Sequence, residues 1–190
     1  MTHVTTNHTT GSATDSGAAR AGKYLTFRLA AEEYGLRILK VREIIGLMPI
    51  TKMPEAPAYI RGIINLRGRV IPVLELRARF GMEPTPDNEQ TCIIVVDLAS
   101  HGRSGLMGVL VDSVSEVLDI KEDEIQDPPS MGGDNACDFI HGIGKVKGGV
   151  KILLDIERVI TAGTIDQIPA GMLEGTADAE AEQSLESAMA

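Results

Sequence analysis

In Gly142-Ile-Gly144-Lys145, glycines lead into a lysine as they do in loops that cradle phosphate groups. The next residue is Val146, which cannot ligate a magnesium ion, and the GxxxxGK spacing is missing. A hairpin turn is the expectation there. Cys137, Asp138 and His141 offer a nucleophile, an orienting acid and a base close together in sequence. Catalytic partners are brought together by the fold rather than by adjacency, and His141 falls where an internal repeat has Arg61, so an ordinary surface residue is expected. His3 and His8 make no metal site by themselves, and the run Asp119, Glu122, Asp123, Glu124 and Asp127 lacks the glycine-centred spacing of a calcium loop. Arg61, Arg67, Arg69, Arg77 and Arg79 could grip a phosphate backbone, but Glu75 and Glu83 interrupt them and only Tyr59 and Phe80 are nearby aromatics. No histidine, serine or carboxylate pair has a context that selects it as catalytic. The expectation is a protein that is not an enzyme and needs no cofactor and no metal; a small-barrel enzyme or a nucleic-acid-binding protein is the alternative from another class.

What remains is chemistry suited to holding other proteins. Lys40-Val41-Arg42-Glu43-Ile44-Ile45 interleaves charged and aliphatic side chains, too polar for a central strand and consistent with an amphipathic edge. Arg67 is either a solvated turn residue or an anchor for a carboxylate, which its planar fork binds better than a lysine would.

These residues need a scaffold, and the chain supplies short β-branched runs punctuated by Gly, Pro and Asp. The expected strands are Tyr24 to Leu29, Tyr34 to Leu39, Gly62 to Leu66, Val70 to Leu74, Thr91 to Leu98, Leu106 to Val111, Ile140 to Val146 and Val150 to Leu154. Short helices are expected at Glu75 to Phe80 and Glu157 to Ile160. Residues 59–76 align on 139–156 at a constant offset of 80, with Ile60/Ile140, Gly62/Gly142, Ile63/Ile143, Gly68/Gly148, Val70/Val150 and Leu74/Leu154 identical. At an offset of 73, Gly35/Gly108, Val41/Val114 and Glu43/Glu116 also coincide. One β unit is used twice, each copy with a hairpin whose tip carries Arg67-Gly68 or Lys147-Gly148. Either copy alone is marginal in size, so two small barrels packed on each other are expected, about 23–81 and 90–161.

Outside 23–161 lie a Thr-rich head, 1–22, expected to be disordered, and a tail, 162–190, expected to be disordered or weakly helical. Of the net charge of −9, the head carries 0, the tail −6 and the middle −3. An acidic chain of 190 residues with three Tyr, three Phe and no Trp is poorly equipped for phosphate backbones, base stacking or anionic membranes. Two cysteines without CxxC spacing and a start without an apolar signal segment point to the cytoplasm.

The strings from Glu33 to Ile45, Ile60-Arg-Gly-Ile-Ile-Asn-Leu-Arg-Gly68 leading into Val70-Ile-Pro-Val-Leu-Glu-Leu76, and Gly108-Val-Leu-Val-Asp-Ser-Val-Ser-Glu-Val117 closely resemble the CheW family of chemotaxis coupling proteins. The resemblance covers about 23–161. It implies a mainly β fold of two packed five-stranded SH3-like barrels, with no catalytic activity. It also implies two partners: the regulatory domain of the histidine kinase CheA, and the cytoplasmic tip of methyl-accepting chemotaxis receptors, through which membrane contact is indirect. Val41, Glu43, Gly62, Asn65 and Arg67 fall on motif positions associated with partner binding, and Ile38, Val109 and Val111 on apolar positions near the groove between the barrels. Glu43 and Arg67 are expected to face each other and orient the docking surface. The long turn Ala99 to Gly105 and both tails depart from the family pattern. With no receiver-like segment and no kinase motif, a detached kinase regulatory domain is the nearest rival, and service in another chemosensory or non-motility pathway stays open.

Overall fold

The computed structural model describes residues 20–98, 105–128 and 138–161. Positions 1–19 of the expected head, the tail 162–190, positions 99–104 of the long turn and Cys137 lie outside the described residues. In chain order the elements are β1 (Gly22–Leu29), β2 (Glu32–Arg37), β3 (Val41–Gly46), β4 (Ile60–Leu66), β5 (Arg69–Glu75), α1 (Leu76–Arg79), β6 (Cys92–Leu98), β7 (Gly105–Val111), β8 (Ser113–Ile120), β9 (Ile125–Gln126), β10 (Ile140–Val146), β11 (Gly149–Leu154) and α2 (Ile156–Thr161). The fold is mainly β, as expected. No helix among the described residues is long and apolar enough to cross a membrane.

The strands form two sheets, β3-β6-β7-β5-β4 and β8-β1-β2-β11-β10-β9. They are called here barrel I and barrel II. The repeat maps β1 to β5 onto β6, β7, β8, β10 and β11, and the two sheet orders then match strand for strand. The barrels do not coincide with residues 23–81 and 90–161, however. Each repeat gives its first hairpin to the other sheet: β1 and β2 lie between β8 and β11, and β6 and β7 lie between β3 and β5. The exchange is closed by two equivalent parallel junctions, Leu153 opposite Gly35 and Val73 opposite Gly108. At both glycines a Cβ would crowd a neighbouring side chain, Leu153 at 2.9 Å or Ile93 at 2.7 Å, which accounts for their recurrence in the repeat. Barrel II also has a sixth strand, the two-residue β9.

This arrangement explains the aliphatic runs. On β6, Ile94 and Val96 face the core shared by the barrels while Ile93 and Val95 face the interior of barrel I; on β7, Met107, Val109 and Val111 face the shared core and Leu110 the interior. A strand buried on both faces needs apolar residues at every position. Burial of each such side chain stabilises the fold by about 1.5–3 kcal/mol. Edge strands read differently. β3 and β8 lie at the ends of their sheets; β3 alternates half-buried with exposed positions and β8 is mostly half-buried or exposed, so their polarity hid them from the list of expected strands. β2 stops at Arg37, two residues earlier than expected, because Ile38–Lys40 turns into a single 3-10 turn that leads the chain into the other barrel.

Candidate docking site

The β4–β5 hairpin closes with Leu66 opposite Arg69, leaving Arg67 and Gly68 as a two-residue loop. Both have positive φ, +53° and +86°, the pattern of a type I′ turn. A left-handed arginine costs about 1–2 kcal/mol relative to a glycine. Asn65 offsets part of this by accepting the Gly68 N–H at 2.9 Å on its side-chain oxygen. The turn directs the Arg67 guanidinium onto Glu43, with Nη1 donating to Oε1 at 3.0 Å and Nη2 to Oε2 at 2.8 Å. Glu43 is placed by a β-bulge in β3 between Val41 and Glu43. Val41 packs on the shared core and Ile45 on the interior of barrel I.

The expected facing of Glu43 and Arg67 is therefore observed as a bidentate pair. The Glu43 side chain is 24% exposed and that of Arg67 76%, so the fork is a surface feature whose guanidinium remains open to solvent. A pair this exposed contributes about 0–1 kcal/mol to stability. It fixes a direction rather than the fold. The same strands expose apolar side chains the sequence did not single out, Ile44 on β3 and Val70 on β5. Their repeat partners Val117 and Val150 are exposed as well, so a solvent-facing aliphatic at both copies was a readable signal. Leu39, 88% exposed in the 3-10 turn beside half-buried Ile38, was also missed.

The other expected site residues are placed differently. Gly62 is buried, with φ +148°, and a Cβ there would lie 2.2 Å from the carbonyl oxygen of Thr51. It lets the Thr51 and Ile63 backbones exchange two hydrogen bonds of 2.9 Å and presents no surface to a partner. Val109 and Val111 are not in a groove: both are buried in the shared core, since β7 is central in its sheet and covered on both faces. Ile38, the repeat equivalent of Val111, does reach the surface in part.

Side chains that suggested other chemistry are engaged elsewhere. Arg61 pairs with Glu75 at 2.9 Å and Asp87 at 2.7 Å, and Arg77 with Asp112 at 2.7 Å through Nε. Arg79 donates to the Val159 carbonyl at 3.0 Å and lies over the Tyr59 ring. Hydrogen bonding from Arg77 holds the Asp112 carboxyl below its usual range against the opposing effect of burial. His141 has Nε2 buried without a partner among the described residues, and burial followed by the charge of Arg37 lowers its pKa, keeping the ring neutral near pH 7. Among the described residues no group of His, Cys, Asp or Glu could hold a metal ion.

The model of the CheW-like domain matches residues 23–163. The chain belongs to the CheW family. Among curated relatives, a chemotaxis protein CheW of Klebsiella aerogenes is 33% identical over 147 residues, covering 77% of this chain and 86% of its own length. A probable chemotaxis protein CheW of Rhizobium etli is 36% identical, covering 72% and 86%. A solved structure, the scaffolding protein TtCheW from Thermoanaerobacter tengcongensis, has a TM-score of 0.66 at 37% identity, covering 74% of this chain and 93% of that one. The two SH3-like barrels are thus those of a CheW-type chemotaxis adaptor.

Proposed function

We propose that this CheW-type adaptor couples the cytoplasmic tip of methyl-accepting chemotaxis receptors to the regulatory domain of the histidine kinase CheA, without chemistry of its own, so that receptor state sets kinase output. Its contact with the membrane is through the receptors alone. An adaptor needs two surfaces. The first is the tip of barrel I, where Glu43 and Asn65 hold the Arg67 guanidinium in one direction on strands that also expose Ile44 and Val70. The second is the apolar patch of Ile38, Leu39 and Val41. The observation that carries the reading is the fork itself, in a strained turn whose stability return is near zero. A residue kept in an unfavourable backbone conformation without a stability gain is one selected for what it presents.

The test is reconstitution of receptor fragment, CheA and this chain, with kinase autophosphorylation as the readout. The wild-type chain should make kinase activity depend on the receptor. Arg67→Glu should keep the thermal midpoint within the effect of about 1 kcal/mol expected of an exposed pair and lose binding to at least one partner. Receptor-independent kinase activity in the presence of the wild-type chain overturns the coupling role, and full binding by Arg67→Glu overturns the tip as its site.

A further inference from the structure

Between barrel II and the end of α1 lies an aromatic-walled cavity of about 380 Å³, lined by Tyr34, Arg79, Phe80, Met82, Phe139 and Ile152 together with Ile140. A row of rings leads into it: Phe27 and Tyr34 with centroids 5.8 Å apart, Tyr34 and Phe80 at 5.9 Å, Phe80 and Phe139 at 5.1 Å. Four of the molecule's six aromatic residues are spent on this row. Phe80, Met82, Phe139 and Ile152 are only half-buried on the margin of the shared core. The repeat shows what a filled version looks like. At the equivalent place in the other half, α2 runs six residues rather than the four of α1, and Val159 and Ile160 are buried in the shared core with Met107, against Tyr59. At the offset of 80, Arg79 and Phe80 stand where Val159 and Ile160 do, yet both are only half-buried.

The chain itself passes beside this opening. Arg79, on the cavity wall, donates its Nε–H to the carbonyl of Val159 in α2, and the chain leaves α2 at Thr161. Four residues in extended conformation reach about 13 Å, and the exit at Thr161 is two residues beyond Val159, which the cavity-lining Arg79 touches. The 29 residues from 162 to 190 are not uniform: Ile165, Ile168, Met172 and Leu173 lie close together, and only Leu185 and Met189 follow among large apolar side chains. Asp166, within the apolar group, suits the guanidinium at the rim.

We propose that the segment Ile165–Leu173 of this chain docks in the cavity, its aliphatic side chains against Phe80 and Phe139, and so completes the burial of these half-exposed rings. Burying a cluster of this size repays the ordering of a short segment, whereas the Ala- and Glu-rich remainder has nothing to bury.

Photocrosslinking on the full chain tests it. Met82 on the cavity wall is replaced by benzoylphenylalanine, the dilute protein is irradiated, and tryptic peptides are read by mass spectrometry. Arg158 is the last basic residue, so the tail is released as the single peptide 159–190. The expected result is a monomer-sized product in which the peptide containing position 82 is joined to 159–190. In the double variant Ile168→Asp with Met172→Asp the yield should fall about tenfold, the loss corresponding to about 1.4 kcal/mol of apolar contact. Products joined only to neighbouring strands, a dimer-sized product showing a second copy's tail in the cavity, or a yield unmoved by the double variant overturns the proposal.

Discussion

Position for position the two barrels share a backbone and differ in what fills it. Barrel I has Ile64, Ile71, Val95, Leu106 and Leu110 in or against its interior. Barrel II has Gly144, Lys151, Thr26, Glu33 and Arg37 at the equivalent places. Lys151 is 5% exposed and ion-paired with Glu33, and Thr26 is held by hydrogen bonds with the backbone of Glu116 at 2.9 and 3.2 Å. Arg37 keeps one buried nitrogen without a partner among the described residues. The tips differ in the same direction. Lys147 stands for Arg67 and Lys145 for Asn65; Lys147 is not left-handed, and among the described residues no ion pair joins it to Glu116. Barrel I therefore combines a dry interior with a directional tip, and barrel II a mixed interior, in which the apolar cluster of Tyr24, Ile120 and Leu153 stands alongside these polar groups, with an undirected one. Duplication preserved the strand registers and left the contents free to diverge, which is how one unit came to serve as both platform and counterpart.

The comparison can be broken most severely at the paired glycines. Gly62→Ala sets a methyl 2.2 Å from the Thr51 oxygen at positive φ, whereas at Gly142 the nearest atom is a side-chain methyl, Ile125 Cγ2 at 2.7 Å, and not backbone. Strain and overpacking together should cost Gly62→Ala about 3–4 kcal/mol and Gly142→Ala about 1 kcal/mol. Urea unfolding checks the difference, and equal losses would mean that the two hairpins are held alike. The interiors come next. Glu33→Ala strands the Lys151 charge and should cost about 3 kcal/mol, while Glu33→Leu with Lys151→Ile, which copies barrel I, should be neutral or stabilising. A double variant as unstable as the single one would show that the polar pair is not interchangeable with the apolar one.

The smallest effect concerns two ion pairs with their charges exchanged. Arg77 of α1 holds Asp112, and at the matching place Glu157 of α2 holds Lys40. Arg77 is 12% exposed and Lys40 37%, so Asp112→Asn should cost about 1.5 kcal/mol and Lys40→Ala less. Because the Asp112 pKa is lowered on folding, its contribution is complete above the ordinary carboxylate range and disappears as the pH falls through the lowered value. Asp112→Asn should accordingly flatten the acid limb of the stability profile, measured by thermal unfolding across pH, while Lys40→Ala leaves its shape unchanged.

Sequence patterning made the doubled β architecture readable because strands buried on both faces leave unbroken aliphatic runs such as Ile93 to Val96. It also carried the Glu43–Arg67 pairing, through the resemblance rather than through spacing. The same aliphatic monotony misled at Val109 and Val111, since a valine beneath the surface and one lining a groove look alike in sequence. The hairpin exchange was invisible for a different reason. The registers of the two copies are equivalent, so β1 and β2 fit either sheet by local pattern, and only the connections decide. Leu39 and the aromatic row depend on exposure and tertiary proximity, which periodicity does not encode.

The hairpin exchange also dictates an order of completion during synthesis. Barrel I lacks its central strands until residue 111 has been made, although β3, β4 and β5 emerge much earlier. β1 and β2 are made before the other described strands, yet the β11 edge that β2 joins is finished only at residue 154. Neither barrel can then be a self-sufficient folding unit, and the long-range pairing makes closure slow relative to local structure. Among the described strands, the hairpin made first waits longest, and the strand made last is the one that gives it a place.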